Sequence, residues 1–157
     1  MTLPATILPS AARRQQAATV ALPSFRDILI RRRIEAPRRL VWEVLTRPEH
    51  LARWLGAPCD AVMRADVDLR TAGGFHFAWR RGGGGITTLR GTYHDIVVGR
   101  RLVFTATERC AHTLHALSLD DVGGATRLAL RRLSPATSPS ADADRLSRLE
   151  RYLRALA

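Results

Sequence analysis

Residues 34–54 read IEAPRRLVWEVLTRPEHLARW, and this stretch decides the fold of the chain. Pro37 stops the apolar run that ends at Ile34, and proline is tolerated at the first helical position because its missing N–H would have no partner there. Apolar residues then recur on one helical face, at positions 40, 41, 44 and 45. Pro48 ends this helix and begins a shorter one, since the residue before a proline is biased out of the α region. The stretch therefore predicts a strand followed by two short helices.

The size and composition of the chain are those of one globular domain. It has 157 residues, of which 46% are hydrophobic and 25% are charged, and this is enough to form a core. No apolar run approaches the roughly 18–20 residues that cross a bilayer. The N-terminus has its arginines after the mildly apolar part and is broken by prolines, which is not the order of a signal peptide. We therefore expect a cytoplasmic protein that does not bind a membrane.

The net charge of +11 raises the question of nucleic-acid binding. All 25 basic residues are arginine, a bias that a GC-rich coding sequence also produces. The arginines are spread along the chain with acidic residues between them, whereas a dedicated DNA-binding protein concentrates its positive charge on one element. We therefore expect non-specific attraction to polyanions at low salt and no dedicated nucleic-acid role.

Seven stretches have the pattern of β-strands. Phe75, Phe77 and Trp79 alternate strictly with their neighbours, which is the clearest strand pattern in the chain. Turn residues at 71–74, where we expect the glycines to adopt positive φ, and at 82–85 and 120–124 separate the strands into hairpins. The other predicted strands cover residues 26–34, 60–69, 86–97, 101–109, 112–119 and 126–133. Short strands at hairpin spacing predict one antiparallel, meandering sheet.

A helix is predicted at the C-terminus, over residues 141–157. One of its faces carries four leucines, at positions 146, 149, 153 and 156. Asp142 or Ser140 can cap its start. The leucine face must pack against another element, and the face of the sheet that carries the aromatic row, or the opposite row, is the natural partner.

Two segments have the composition of flexible chain. Residues 1–24 are rich in Ala, Pro, Ser and Gln and contain no acidic residue, so we predict a flexible tail followed by a single domain over residues 25–157. Residues 134–140, SPATSPS, are predicted to link the last strand to the C-terminal helix.

The order of one strand, two short helices, six strands and a long helix resembles the helix-grip fold of the START-like (SRPBCC) superfamily. Within it, the chain resembles the family of activator of heat-shock-protein-90 ATPase homologues. The resemblance rests on six motifs in the family's order: RRIEAPRRLVW at 32–42, PEHLARW at 48–54, DLR at 68–70 before the glycine pair at 73–74, GTYHDI at 91–96, RLVFT at 101–105 and GGATRL at 123–128. It implies an α+β fold with one curved antiparallel sheet of six to seven strands and the last helix packed across it.

Three features of the chain differ from the family's pattern. Thr71 and Ala72 stand between the arginine and the glycine pair, where the family usually has one residue. Leu55 stands where the family usually has the second tryptophan of a Trp-Trp pair. The last helix is short and lacks the Gly-Trp that commonly opens it.

The resemblance also implies a cavity between the sheet and the C-terminal helix. Relatives bind lipids, sterols, aromatic polyketides or plant hormones, some act as cyclases or hydrolases, and one branch stimulates a chaperone's ATPase in the stress response. Three functions follow as expectations. The first is binding of a small, largely hydrophobic ligand without catalysis, the second is a co-chaperone-like or regulatory interaction with a protein, and the third is a polyketide cyclase-like or hydrolase-like enzyme.

The residues that we expect to bind the ligand are mostly aromatic: Arg32, Trp54, Asp68, Phe75, His76, Phe77, Trp79, Tyr93, Phe104, Leu149 and Leu153. Strand alternation places Arg32 on the face of Ile28, Ile30 and Ile34, so it could reach the cavity and hold an acidic or carbonyl-bearing ligand. A buried arginine needs a carboxylate partner, and the candidates are at positions 68, 95 and 108. The alternative is an internal ion pair or an edge position with the side chain reaching solvent.

We expect no cofactor, no metal and no catalytic residue. His112 and His115 are three apart in a strand and so point to opposite faces, and Cys59 and Cys110 are too far apart for a zinc pattern and are expected to be partly buried apolar residues. An enzyme would instead require at least two polar residues to converge around one void, from the set Arg32, Asp68, His76, Tyr93 and His94. An exposed first or last strand could pair two copies, so both a monomer and a homodimer are open.

Overall fold

The computed structural model describes residues 25–135 and 139–156, and in the last helix it describes the side chains from residue 142 onward. The predicted tail at 1–24 and the centre of the predicted linker lie outside these residues. The elements in chain order are β1 (Arg26–Ile34), α1 (Arg38–Thr46), α2 (Pro48–Leu55), β2 (Ala61–Val67), β3 (Gly74–Arg80), β4 (Ile86–Val97), β5 (Arg101–Glu108), β6 (Ala111–Val122), β7 (Ala125–Ser134) and α3 (Pro139–Leu156). This is the predicted order.

The seven strands form one open antiparallel sheet in the order β1-β7-β6-β5-β4-β3-β2. Strands β2 to β7 follow one another as a meander, and β1 pairs with β7 over its whole length, from Arg26 opposite Ser134 to Ile34 opposite Thr126. The predicted α+β helix-grip fold is therefore confirmed. The edges of the sheet are β1 and β2. Of the two strands named as possible edges, the first is an edge and the last is not, because β1 pairs with β7.

The two short helices are fixed to the sheet by indole hydrogen bonds. Trp54 in α2 donates from Nε1 to the backbone carbonyl of Val44 in α1, at 3.1 Å. Trp79 in β3 donates from Nε1 to the backbone carbonyl of Ala52 in α2, at 3.1 Å. Both tryptophans are buried, so each N–H has a partner where water does not reach it. These two bonds place α2 over the β3 side of the sheet.

The core lies between the sheet and the helices. The row Phe75, Phe77 and Trp79 faces inward and belongs to one buried cluster with the leucines of α3. Leu149 and Leu153 have almost no exposed surface, which confirms the predicted packing of the leucine face on the aromatic row. Leu156, the fourth predicted leucine, is the last residue of the helix and is 43% exposed.

The turn before β3 uses its residues differently from the prediction. The left-handed conformation belongs to Ala72, with φ of 64°, and neither glycine of the pair has positive φ. Gly73 is required for space instead, because a Cβ there would lie 2.2 Å from the backbone oxygen of Asp68. The loop then pairs with Tyr93, whose amide donates to the carbonyl of Gly73 and whose carbonyl accepts from the amide of Ala72, both at 2.8 Å.

Candidate ligand-binding cavity

A cavity of about 110 Å³ lies between α2, the first half of α3 and the inner face of the sheet. Its walls are mainly leucine and aromatic side chains, with polar groups contributed by β6 and α3. The lining residues are Leu45, Leu51, Trp54, Leu55, Phe75, Phe77, Leu89, Tyr93, Leu102, Phe104, Ala106, His115, Leu117, Leu130, Asp142, Arg145 and Leu146. Leu55, at the position where the family usually has tryptophan, is therefore part of the wall.

Five of the predicted ligand-binding residues line this cavity: Trp54, Phe75, Phe77, Tyr93 and Phe104. The ring of Phe75 lies 5.4 Å from that of Tyr93 and 5.7 Å from that of Phe104, so the three rings form one aromatic wall. Gly91 makes this possible, because a Cβ at that position would lie 2.1 Å from Cζ of Phe75. Burial raises the pKa of Tyr93 to about 12, so its hydroxyl stays protonated at neutral pH.

Three other predicted residues are buried but are not among those that line the cavity. Trp79 lies under the end of α2, where its ring stacks on that of Phe77 with centroids 5.7 Å apart. Leu149 and Leu153 pack in the adjoining core, one and two turns after the part of α3 that meets the cavity. Their side chains support the wall and do not form it.

The predicted polar anchors lie outside the cavity wall. Arg32 faces α3 as alternation predicts, but its side chain is 43% exposed and lies 3.8 Å from Glu150, because β1 is an edge strand. Its partner is therefore none of the three predicted carboxylates. Asp68 accepts hydrogen bonds from Nε of Arg70 in an exposed turn. His76 points away from the aromatic row and accepts a hydrogen bond from Arg90 at 3.2 Å. None of these three residues is therefore among those that line the cavity.

Three polar residues, His115, Asp142 and Arg145, line one end of the cavity. Arg132 and Glu108 are not among the lining residues but pair with Asp142 and Arg145. We call Glu108, His115, Arg132, Asp142 and Arg145 the polar cluster. Arg132 in β7 is 2% exposed, and its Nη1 lies 2.5 Å from Oδ2 of Asp142 in the first turn of α3. Arg145, one turn later, donates to Oε2 of Glu108 at the end of β5. His115 lies directly opposite Arg132 in the sheet.

Burial sets the protonation states in the polar cluster. The pKa of His115 falls to about 4, first because burial disfavours the imidazolium and then because Arg132 and Arg145 repel it. His115 is therefore neutral at pH 7. Its ring stacks on Phe104 with centroids 4.8 Å apart, and its Nε2 lies 2.7 Å from Oγ1 of Thr113. Burial raises the pKa of Asp142, and this effect exceeds the opposing attraction of the two arginines.

Sequence reasoning assigned none of these polar residues to the cavity wall. Asp142 was expected to cap α3, but the helix begins at Pro139, so both Asp142 and Ser140 lie inside it. The period-two pattern of β7 contains the signal for Arg132, because it falls in the buried row of Leu128 and Leu130. His115 likewise falls in the buried row of β6. Arginine is so frequent in this chain that its position in a buried row is easily overlooked.

The remaining sequence expectations concern metals, cysteines and membranes. Within residues 25–135 and 139–156, no group of three or more His, Cys, Asp or Glu residues is placed to hold a metal ion. His112 is exposed whereas His115 is buried, as expected for opposite faces. Cys59 and Cys110 are free but exposed, not partly buried, because both lie in loops between elements. None of the described helices has the length and apolar character to cross a membrane.

The family profile described as "Activator of Hsp90 ATPase homolog 1-like protein" matches residues 35–157. The chain belongs to this family. A search of curated proteins finds no match. Among solved structures, the chain is similar to an AHSA1-like protein from Aeromonas hydrophila, with a TM-score of 0.74 and 20% identity over 83% of this chain and 94% of that one.

Two further solved structures show the same fold. A protein from Rhodobacter sphaeroides is 25% identical with a TM-score of 0.72, and the match covers 83% of this chain and 90% of that one. DynU16, a protein of the dynemicin biosynthetic locus, is 20% identical with a TM-score of 0.64. That match covers 82% of this chain and 47% of DynU16. At such identities these likenesses establish the fold.

Proposed function

We propose that this member of the family binds a small, largely apolar molecule in the cavity between α2, α3 and the sheet. The observation that carries the proposal is the cavity itself, about 110 Å³ with walls mainly of leucine and aromatic rings and one polar end. A concave apolar space with a few convergent polar groups is the usual form of a small-molecule site. Binding removes the ligand's apolar surface from water, and the polar end orients it.

The volume of the cavity limits the size of the ligand. A cavity of roughly 150 Å³ lined by Leu, Ile and Phe holds one benzene molecule. The present cavity, at about 110 Å³, is smaller than that, so a single ring or a short branched chain is the largest ligand that it accepts without movement of its walls. A lipid or a polyketide of several fused rings would require the walls to move. One aromatic ring buries about 150–250 Å², which at ~25 cal/mol/Å² gives at most about 4–6 kcal/mol, a Kd between roughly 1 mM and 30 µM.

The enzyme alternative depended on polar residues that do not converge. Of the set that an enzyme required, only Tyr93 lines the cavity, and Arg32, Asp68, His76 and His94 lie outside its wall. The likeness to DynU16 concerns the fold and supplies no reacting group for this chain. The family's description keeps a chaperone ATPase as an alternative partner, and a role of that kind would use the surface of the protein and not its interior.

The experiment is a titration with toluene, followed by the methyl resonances of the leucines in the full chain. We expect saturable binding that the substitution Ala106→Leu weakens, because Ala106 lines the cavity and the larger side chain occupies the ligand's space. Ala116→Leu is the matched control, since Ala116 neighbours the buried Leu117 in β6 and therefore faces the other side of the sheet. Equal effects of the two variants, or no binding at millimolar toluene, would refute the proposal. In the surface-based alternative, Ala106→Leu leaves stimulation of the host's chaperone ATPase unchanged.

A further inference from the structure

Three side chains lie side by side across the part of the sheet that forms the cavity wall. Tyr93 in β4 lies directly opposite Phe104 in β5, and Phe104 lies directly opposite His115 in β6. All three residues line the cavity. The ring of Phe104 stacks on that of His115, with 6° between their planes. Tyr93 and His115 carry polar atoms, so this aromatic row has a polar group at each end.

Both polar groups are open to the cavity. In the part of the chain that the structure describes, the side-chain N and O atoms that are fully enclosed and form no hydrogen bond belong to Arg132, Asp142 and Arg148. The hydroxyl of Tyr93 and Nδ1 of His115 are not among these enclosed atoms, and neither forms a hydrogen bond to a described residue. Both atoms therefore keep accessible surface, although their residues are only 3% and 8% exposed. Because both residues line the cavity, a ligand inside it can reach these two atoms.

Thr113 determines which ring nitrogen of His115 carries the proton. The hydroxyl of Thr113 has a single proton, which it donates to the backbone carbonyl of Ala106 at 3.3 Å. The same hydroxyl oxygen lies 2.7 Å from Nε2 of His115, so both contacts are hydrogen bonds only if Nε2 is the donor. His115 is neutral at pH 7, because burial and the two nearby arginines lower its pKa to about 4. A proton on Nε2 therefore leaves a lone pair on Nδ1, which accepts a hydrogen bond from a ligand.

The surroundings of Nδ1 disfavour charged ligands. Arg145 lines the same end of the cavity and Arg132 lies opposite His115 in the sheet, so both repel an ammonium group. The carboxylate of Asp142, which could attract such a group, already pairs with Arg132. A carboxylate ligand has no proton to donate to Nδ1 at pH 7. A phenolic hydroxyl, like that of tyrosine, is neutral at pH 7 and donates one hydrogen bond, so it meets both conditions.

We propose that the ligand is a small, neutral aromatic alcohol, whose hydroxyl group donates a hydrogen bond to Nδ1 of His115 and whose ring lies in the apolar part of the cavity. This inference rests on the proposed function and names the chemical class of the ligand. The cavity volume limits the ligand to one ring, and the free acceptor requires the hydroxyl group. Without an acceptor in the cavity, a buried hydroxyl would lose its hydrogen bonds to water and would weaken binding.

The experiment compares phenol with toluene, which has a methyl group in place of the hydroxyl, in the same titration of the full chain at pH 7. We expect phenol to bind the wild type at least as tightly as toluene. The substitution His115→Phe keeps a ring against Phe104 and removes the acceptor, so it should lower the affinity for phenol relative to toluene about tenfold. His112→Phe is the matched control, because His112 lies in the same strand, is exposed and bonds to Thr107 outside the cavity. It should leave the relative affinity unchanged.

The possible outcomes separate this inference from the cavity proposal. If toluene binds and His115→Phe leaves the relative affinity for phenol unchanged, the hydroxyl inference is overturned and the cavity proposal stands. If neither probe binds, the cavity proposal fails and the inference fails with it.

Long-range ¹H–¹⁵N spectra of the histidine rings test the inference in the wild type, without relying on the folding of a variant. We expect Nδ1 of His115 to be the unprotonated nitrogen, and we expect its resonance to shift with phenol and not with toluene. A protonated Nδ1, or equal shifts with the two probes, would overturn the inference.

Discussion

Replacing His115 by phenylalanine should remove part of the acid sensitivity of the fold. The pKa of His115 is lowered to about 4 in the folded protein, from 6.5 for the free side chain. Between these two values the unfolded chain binds more protons than the folded one. The free energy of unfolding therefore falls as the pH drops from 6.5 towards 4, and it is insensitive to this group below 4.

The size of the effect follows from the two pKa values. Between pH 7 and pH 5, His115 should reduce the free energy of unfolding by about 2 kcal/mol, and by about 3 kcal/mol at pH 4. The substitution His115→Phe keeps a ring against Phe104 and removes the titration. Its cost at pH 7 should be about 1 kcal/mol or less, from the lost contact with Thr113.

The assay is urea denaturation of the wild type and of His115→Phe at pH 7 and pH 5, followed by circular dichroism. Asp142, whose raised pKa stabilises the fold as the pH falls, titrates in both proteins, so the difference between them isolates His115. We expect the variant to lose about 2 kcal/mol less than the wild type between the two pH values. Identical losses would show that His115 is not held neutral by burial in the polar cluster, and the electrostatic account of that cluster would be wrong.

Three stability predictions concern other parts of the core and are checked by urea denaturation at pH 7. Arg132→Met alone should cost about 3–5 kcal/mol because it leaves Asp142 buried without its partner, whereas Arg132→Met with Asp142→Leu should be neutral or stabilising; equal costs would exclude a coupled pair. Gly91→Ala should cost about 1–3 kcal/mol because the new methyl group meets the ring of Phe75, and an unchanged midpoint would contradict that close approach. Thr126→Val should cost about 1–3 kcal/mol because the fully buried hydroxyl of Thr126 donates a hydrogen bond to the backbone carbonyl of Ala36, between β1 and α1. An unchanged free energy of unfolding would argue against that bond.

The element order could be predicted because local signals agree with the global fold. Pro37 and Pro48 each mark the start of a helix, and the alternation of Phe75 and Phe77 defines both a strand and its inward face. Such signals depend only on the local backbone conformation and on the face of the helix or strand to which each side chain points. The same alternation also placed Arg32 on the correct side of β1.

The burial of a polar side chain could not be predicted in the same way. Arg32 and Arg132 both point to the inner face of the sheet. Arg32 is partly exposed because β1 is an edge strand, whereas Arg132 is buried because β7 lies between β1 and β6. Strand order decides between them, and strand order depends on pairing between distant parts of the chain. The partner of Arg132 comes from α3, so the ion pair appears only when helix and sheet are assembled.

The central claim is that a hollow with apolar walls exists beneath α3. The most direct test is a crystal structure of the protein under xenon pressure, because xenon binds in apolar cavities of this size. The account predicts a xenon atom between Leu45, Phe77 and Leu117, which line the cavity from three different elements. A crystal with no xenon there, and with these side chains in van der Waals contact across the space, would contradict it.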